Sequence, residues 1–338
     1  MRGSRGLVVS FCLLLGPFAF GCGGDDDGGG GGGDAGDGDA GPDGGPGGDG
    51  GGGDGGGGGD AGESFACKHL DIVFSIDASS SMNAEMTAMG EVIFPAFADV
   101  LLDISQGLDD YRVGTLDACP DPASFNTRGE GPDFDEPDPE HPQPGPADDV
   151  DCAFASGESW IEATPDSDRD AVKDEFACVG NIDRSTGAGG VTAGDCSGYD
   201  DDEQPARAVI SALTPPENTG FLRDEAVLVV IAMTDEDERP TPDPDAVTAQ
   251  DLHDDLVATK GDVQKMVFLG IGGQTAGCPN IYGDTEGAAT KLHELTDLFI
   301  AQDRGVWWDL CAQGPLQDGL DEALTVIEQA CDDFGGVD

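Results

Sequence analysis

The sequence predicts an α/β domain with a mostly parallel sheet, and three observations predict it. Two apolar runs, Ile72–Ile76, broken only by Ser75, and Ala226–Met233, which is uninterrupted, read as strands buried on both faces. Shorter strand-like runs follow them, and segments with apolar residues at helical spacing separate the runs. Alternation of strand and helix of this kind makes a sheet mostly parallel.

The first 22 residues stand apart from this series. Arg2 and Arg5 precede an apolar run from Leu7 to Phe20, which ends at Ala19-Phe20-Gly21-Cys22. The run is too short for an ordinary membrane span, and the small residue before Cys22 suits cleavage with lipid attached to the new N-terminal cysteine. These features predict a bacterial lipoprotein signal over 1–22, with a plain secretory signal as the alternative. The expected product is exported and lipid-anchored through Cys22 to the cell envelope, at the outer membrane, periplasmic or surface-exposed. Residues 23–63 are almost entirely Gly and Asp and cannot bury enough apolar surface to offset the entropy of ordering. They read as a disordered tether with a span of roughly 35 Å, extended further by repulsion among the aspartates.

Residues 64–338 form the expected domain. The first strand, ending at Ile76, is followed by a helical stripe at Met82, Met86, Met89, Ile93, Phe97, Val100 and Leu101. Tyr111–Leu116 reads as the second strand, then a Pro- and Asp-rich insertion over 119–157 shows no usable periodicity. Trp160–Ala163 is a candidate edge strand returning beside the second. Helices are expected over 168–178 and Glu203–Leu213, before the strand Ala226–Met233. Helix Ala246–Ala258, strand Met266–Ile271, helix Ala288–Phe299, strand Val306–Leu310 and helix Leu316–Cys331 complete the series.

The formal net charge of −54 argues against nucleic acid or an anionic lipid surface as partner, since either would be repelled. Setting aside Cys12 and Cys22 leaves eight of the ten cysteines, an even number that suggests four disulfides in an exported chain. No CxxC pair occurs, so zinc is not expected. Enzyme signatures are lacking too: there is no GxSxG elbow, no P-loop and no HExxH, since Asp297 stands where His293-Glu294 would need a second histidine.

The most informative stretch is DIVFSIDASSSM, residues 71–82, where the first buried strand ends abruptly in Asp77 and hydroxyl residues. Loops leaving the C-terminal ends of strands in an open α/β sheet form its ligand crevice, so hard oxygen donors there are well placed for Mg²⁺ or Ca²⁺. A second such end follows in VLVVIAMTDEDE, which places Asp235 after the fourth main strand.

With these residues, and with FLGIGG at 268–273, the chain from about 68 to 332 resembles a von Willebrand factor type A (VWA) domain. FACVGN, GVTAGDCSGYDDDEQPARAVISAL and NTGFLRDEAVLVVI resemble the versions in myxobacterial-type lipoproteins. The resemblance implies a doubly wound, Rossmann-like sheet with one antiparallel edge strand and helices on both faces. It implies a metal-ion-dependent adhesion site made by Asp77, Ser79 and Ser81, by a threonine from a separate loop, and by Asp235. Thr192 is the choice for that threonine, with Thr186 the rival. The cation would be Mg²⁺, Ca²⁺ or Mn²⁺, and its open position would take a carboxylate from a protein or glycan partner. Asp237, Glu238 and the run Asp200-Asp201-Asp202-Glu203 read as solvated acidic surface.

In such a sheet the helices run antiparallel to the strands, which brings Cys331 near Cys67. Cys178 and Cys196 bracket the Thr192 loop, Cys278 with Cys311 would tie the loops after the last two strands, and Cys119 with Cys152 would hold the acidic insertion. The expectation is therefore an envelope lipoprotein that binds a partner through a cation. The alternative is a structural or spacer lipoprotein with an inert site.

Overall fold

The computed structural model describes residues 67–79, 82, 85, 89, 93–104, 108–120, 123–129, 150–180, 203–238, 247–279, 285, 287–312 and 315–335. The signal, the tether, Cys22, Ser81, Thr186, Thr192 and Cys196 lie outside them.

The strands are β1 (His69–Ile76), β2 (Asp110–Asp117), β3 (Arg128–Gly129), β4 (Val150–Asp151), β5 (Ile161–Ala163), β6 (Val227–Met233), β7 (Met266–Gly272) and β8 (Gly305–Asp309). The helices are α1 (Phe94–Ile104), α2 (Arg169–Gly180), α3 (Pro205–Leu213), α4 (Ala249–Lys260), α5 (Thr290–Ile300) and α6 (Leu316–Gly335). Six strands form one sheet in the order β5-β2-β1-β6-β7-β8. Every pair in it is parallel except β5 on β2, where Tyr111 opposes Ala163. Strand order reverses between β1 and β6, whose register runs from Leu70 opposite Val227 to Ile76 opposite Met233. In open parallel sheets such a reversal leaves a crevice at the C-terminal strand ends.

Alternate residues of each central strand feed two cores. On one face Ile72, Phe74 and Ile76 pack with α1, α2 and α6, and Phe74 meets Phe94 with ring centroids 4.5 Å apart. On the other, Val73, Leu228 and Val230 pack with α3, α4 and α5. Both faces are covered, which is why the strands read as continuous apolar runs. Each fully buried leucine, valine or phenylalanine contributes about 1.5–3 kcal/mol of transfer free energy.

Several element ends differ from the sequence expectation for local reasons. Pro205 occupies the start of α3, where its fixed φ and missing N–H are tolerated, so Glu203 precedes the helix. A capping box between Thr248 and Asp251 starts α4 later than Ala246, and Gly261 at φ 87° ends it. Within the 119–157 insertion, Asn126 N–H donates to Thr115 O at 2.6 Å, and β3 pairs with β4. The insertion also supplies Phe125, which packs on Phe221 at 4.6 Å between centroids; Gly114 leaves room for it, since a Cβ there would sit 2.5 Å from the Phe125 ring. Aperiodic sequence therefore delivers a core residue.

Cys67 is bonded to Cys331 and Cys278 to Cys311. Two expected pairings are corrected: Cys152 bonds to Cys178, so neither Cys119–Cys152 nor Cys178–Cys196 forms. The reason is that α2 lies beside β3 of the insertion, and near the insertion's end Ala155 N–H donates to Glu175 of that helix at 2.8 Å. Cys119 is disulfide-bonded as well. Near the N-terminal strand ends, Arg223 donates to the buried Asp71 from its backbone N (2.7 Å) and its Nε (2.8 Å), and it also pairs with Asp110.

Candidate metal centre

The site is built where β1 and β6 end side by side. Asp77 N–H donates to Met233 O at 2.9 Å, which carries the pairing of the two strands one residue past β1. Thr234 N–H likewise donates to Ile271 O at 3.1 Å, and Ala118 N–H to Ile76 O at 3.0 Å. The ends of β2, β1, β6 and β7 are thus held in step by backbone bonds.

Asp77, 0 % exposed, has both carboxylate oxygens engaged. Oδ1 accepts from Ser79 N–H at 2.7 Å and Oδ2 accepts from Thr234 Oγ1 at 2.8 Å. Thr234 Oγ1 in turn accepts from Glu236 N–H at 3.0 Å, so one hydroxyl links the two loops. Asp235, 1 % exposed, follows at once, and its carbonyl accepts from Gly287 N–H at 2.9 Å. Gly287 is needed there: a Cβ would lie 2.9 Å from Glu236 Cα. The Cys278–Cys311 bridge and the bond from Ala289 N–H to Gly273 O (2.8 Å) tie the two ends of the loop carrying Gly287 to the sheet.

Of the five expected ligands, the structure brings Asp77, Ser79 and Asp235 to these adjoining ends; Ser81 and Thr192 lie outside the described residues. Among the described residues, no three His, Cys, Asp or Glu side chains converge to hold a metal ion. The expected donor set contains only two carboxylates, the rest being hydroxyls. Its all-oxygen chemistry fits a hard divalent cation.

The acidic run after β6 is corrected. Asp237 and Glu238 are not solvated surface but anchors for helix N-termini, whose first N–H groups lack intrahelical partners. Asp237 Oδ1 accepts from Lys291 N–H at 2.8 Å and Leu292 N–H at 3.3 Å at the start of α5. Glu238 accepts from Ala206 N–H at 2.8 Å and Arg207 N–H at 3.1 Å at the start of α3. Burial pushes the Glu238 carboxyl up to about 7 against the pull of those N–H groups. One four-residue run therefore serves the site through Asp235 and fixes two helices that frame it.

Glu203 is also corrected, and sequence reasoning missed it. It is 3 % exposed, and its carboxyl is pushed up to about 9, first by burial and then by the negative charges of Asp77, Glu236 and Asp117. Its position immediately before a helix-starting Gln-Pro was the available signal; three preceding aspartates disguised it as part of a charged run. The buried acids at these strand ends repel one another, and a divalent cation among them would relieve that repulsion.

No protein-family model matches the chain, and no curated protein matches it in sequence. Two crystal forms of proximal thread matrix protein 1 from the mussel byssus are similar in structure. They show 12 % and 15 % identity at TM-scores of 0.37 and 0.36, covering 77 % and 79 % of this chain and 48 % and 47 % of the mussel protein. This chain thus spans about half the length of the mussel protein. Manganese-loaded Plasmodium vivax TRAP protein is similar at 13 % identity and a TM-score of 0.36, over 78 % of this chain and 74 % of that one. Such scores are too low to carry an argument, so the assignment of a mostly parallel, Rossmann-like sheet rests on its strand order and pairing.

Proposed function

We propose that the domain is of the VWA kind and binds a divalent cation, Mg²⁺, Ca²⁺ or Mn²⁺, at the ends of β1 and β6. The observation that carries this reading is the buried coupling of Asp77 to Thr234 beside Asp235. It joins oxygen donors from two strands at the point where strand order reverses. When bound, the cation would supply a Lewis-acidic position for a carboxylate on a protein or glycan partner. Asp77 and Asp235 would hold it together with the hydroxyls of Ser79, Ser81 and Thr192. Thr234 orients Asp77 through its hydroxyl, and the Gly287 loop closes one wall. The lipid signal read at Cys22 would tether the domain to the envelope, and the lack of enzyme signatures supports a binding role without catalysis.

The test is recovery of envelope partners by the full chain in Mg²⁺, Mn²⁺ or Ca²⁺, in EDTA, and with Asp77→Ala. Recovery that needs the cation and Asp77 supports the reading; recovery indifferent to both overturns it. The second reading is a spacer lipoprotein with an inert site. It expects that indifferent result.

A further inference from the structure

Glu203 has an environment that the five expected ligands do not explain. Three backbone contacts fix its place: Gln204 N–H donates to Ala118 O at 2.7 Å, Ala118 N–H to Ile76 O at 3.0 Å, and Ala206 N–H to Glu238 Oε2 at 2.8 Å. The start of α3 is thereby clamped between the ends of β1, β2 and the loop after β6. The side chain is 3 % exposed, its carboxyl receives a bond from its own backbone N–H, and Oε2 is buried with no hydrogen-bond partner among the described residues. Its charged neighbours Asp77, Glu236 and Asp117 are all acidic. A buried carboxyl oxygen without a donor, set among other acids, favours a positive or hydrogen-donating group beside it.

We propose that Glu203 is a positioning residue of the cation site, accepting a hydrogen bond from a water molecule of the cation's shell on the side facing β2. This rests on the function proposed above. The three acids do not converge as a direct cage among the described residues, which suits contact through water. Divalent cations of this class, Mg²⁺ above all, keep several waters when bound. Groups that hold the ligands and waters around a metal typically change its affinity by about 10–100-fold.

The experiment is calorimetric titration of Mg²⁺, Mn²⁺ and Ca²⁺ into the full chain, as wild type, Glu203→Gln and Glu203→Asp, with the melting temperature of each in EDTA. The expected result is a loss of about tenfold or more in affinity for Glu203→Gln, with partial recovery in Glu203→Asp and no fall in the metal-free melting temperature. Wild-type binding that is unchanged within about twofold in Glu203→Gln overturns the role of Glu203 alone. An equal loss in both variants, with metal-free melting temperatures lowered in parallel, assigns Glu203 to the fold and also overturns it. A wild type that binds none of the three cations removes the underlying function as well.

Discussion

Replacing Thr234 by valine keeps the shape of a fully buried side chain and deletes one hydroxyl. That hydroxyl donates to Asp77 Oδ2 at 2.8 Å and accepts from Glu236 N–H at 3.0 Å, so two buried groups lose a partner at once. A hydrogen bond to a charged group contributes about 1.5–3 kcal/mol, and a buried N–H left unpaired costs about 1–3 kcal/mol. The two overlap, because both partners share one atom, so Thr234→Val should destabilise the metal-free domain by about 2–4 kcal/mol. At urea slopes of about 1–3 kcal/mol per molar, the midpoint should fall by at least about 0.7 M in disulfide-intact protein. Asp77 would also lose its orientation, and cation affinity should drop by about 10–100-fold. The assay is urea unfolding in EDTA paired with cation titration. A shift below about 0.5 kcal/mol with unchanged affinity would refute the idea that Thr234 holds Asp77 ready for a cation.

Two further perturbations test the frame around the site. Arg223→Ala leaves the fully buried Asp71 without its guanidinium and should cost about 3–5 kcal/mol in urea unfolding, with Asp71→Asn in the same background recovering much of it. No recovery would mean that Arg223 acts through packing. Glu238 is held up at about 7 from the usual 4.5 by burial, so between those values the folded state holds more protons than the unfolded one. Its contribution is present below about pH 4.5 and is lost as pH rises to about 7, a change of at most about 3 kcal/mol. Glu238→Gln should therefore lose less stability than wild type between pH 5 and 7.5, and parallel pH profiles would contradict this.

The sheet was legible because its central strands are buried on both faces. Ile72–Ile76 and Ala226–Met233 could satisfy their apolar side chains in no other way, and their alternation with helical stripes left mostly parallel pairing as the consistent arrangement. Phe125 was illegible, because one of three phenylalanines in an aperiodic insertion reaches the core through the backbone contact of Asn126 with Thr115. The positions of Asp77 and Asp235 were legible because Asp77 follows β1 directly and Asp235 lies two residues past the end of β6. Glu203, Asp237 and Glu238 were not: an acidic residue in an acidic run looks solvated until the helix start that it faces is known. The Cys152–Cys178 bridge failed for the same reason, since it depends on where α2 lies beside the insertion.

The central claim is that Asp77 and Asp235 form a divalent-cation site, and the most direct measurement is titration of Mg²⁺, Mn²⁺ and Ca²⁺ into the purified chain, followed by calorimetry and thermal unfolding. The account predicts saturable binding of at least one cation, stabilisation of about 2.7 kcal/mol at a hundredfold excess over Kd, and loss of both in Asp77→Ala and Asp235→Ala. Absence of heat and of stabilisation with all three cations would contradict it.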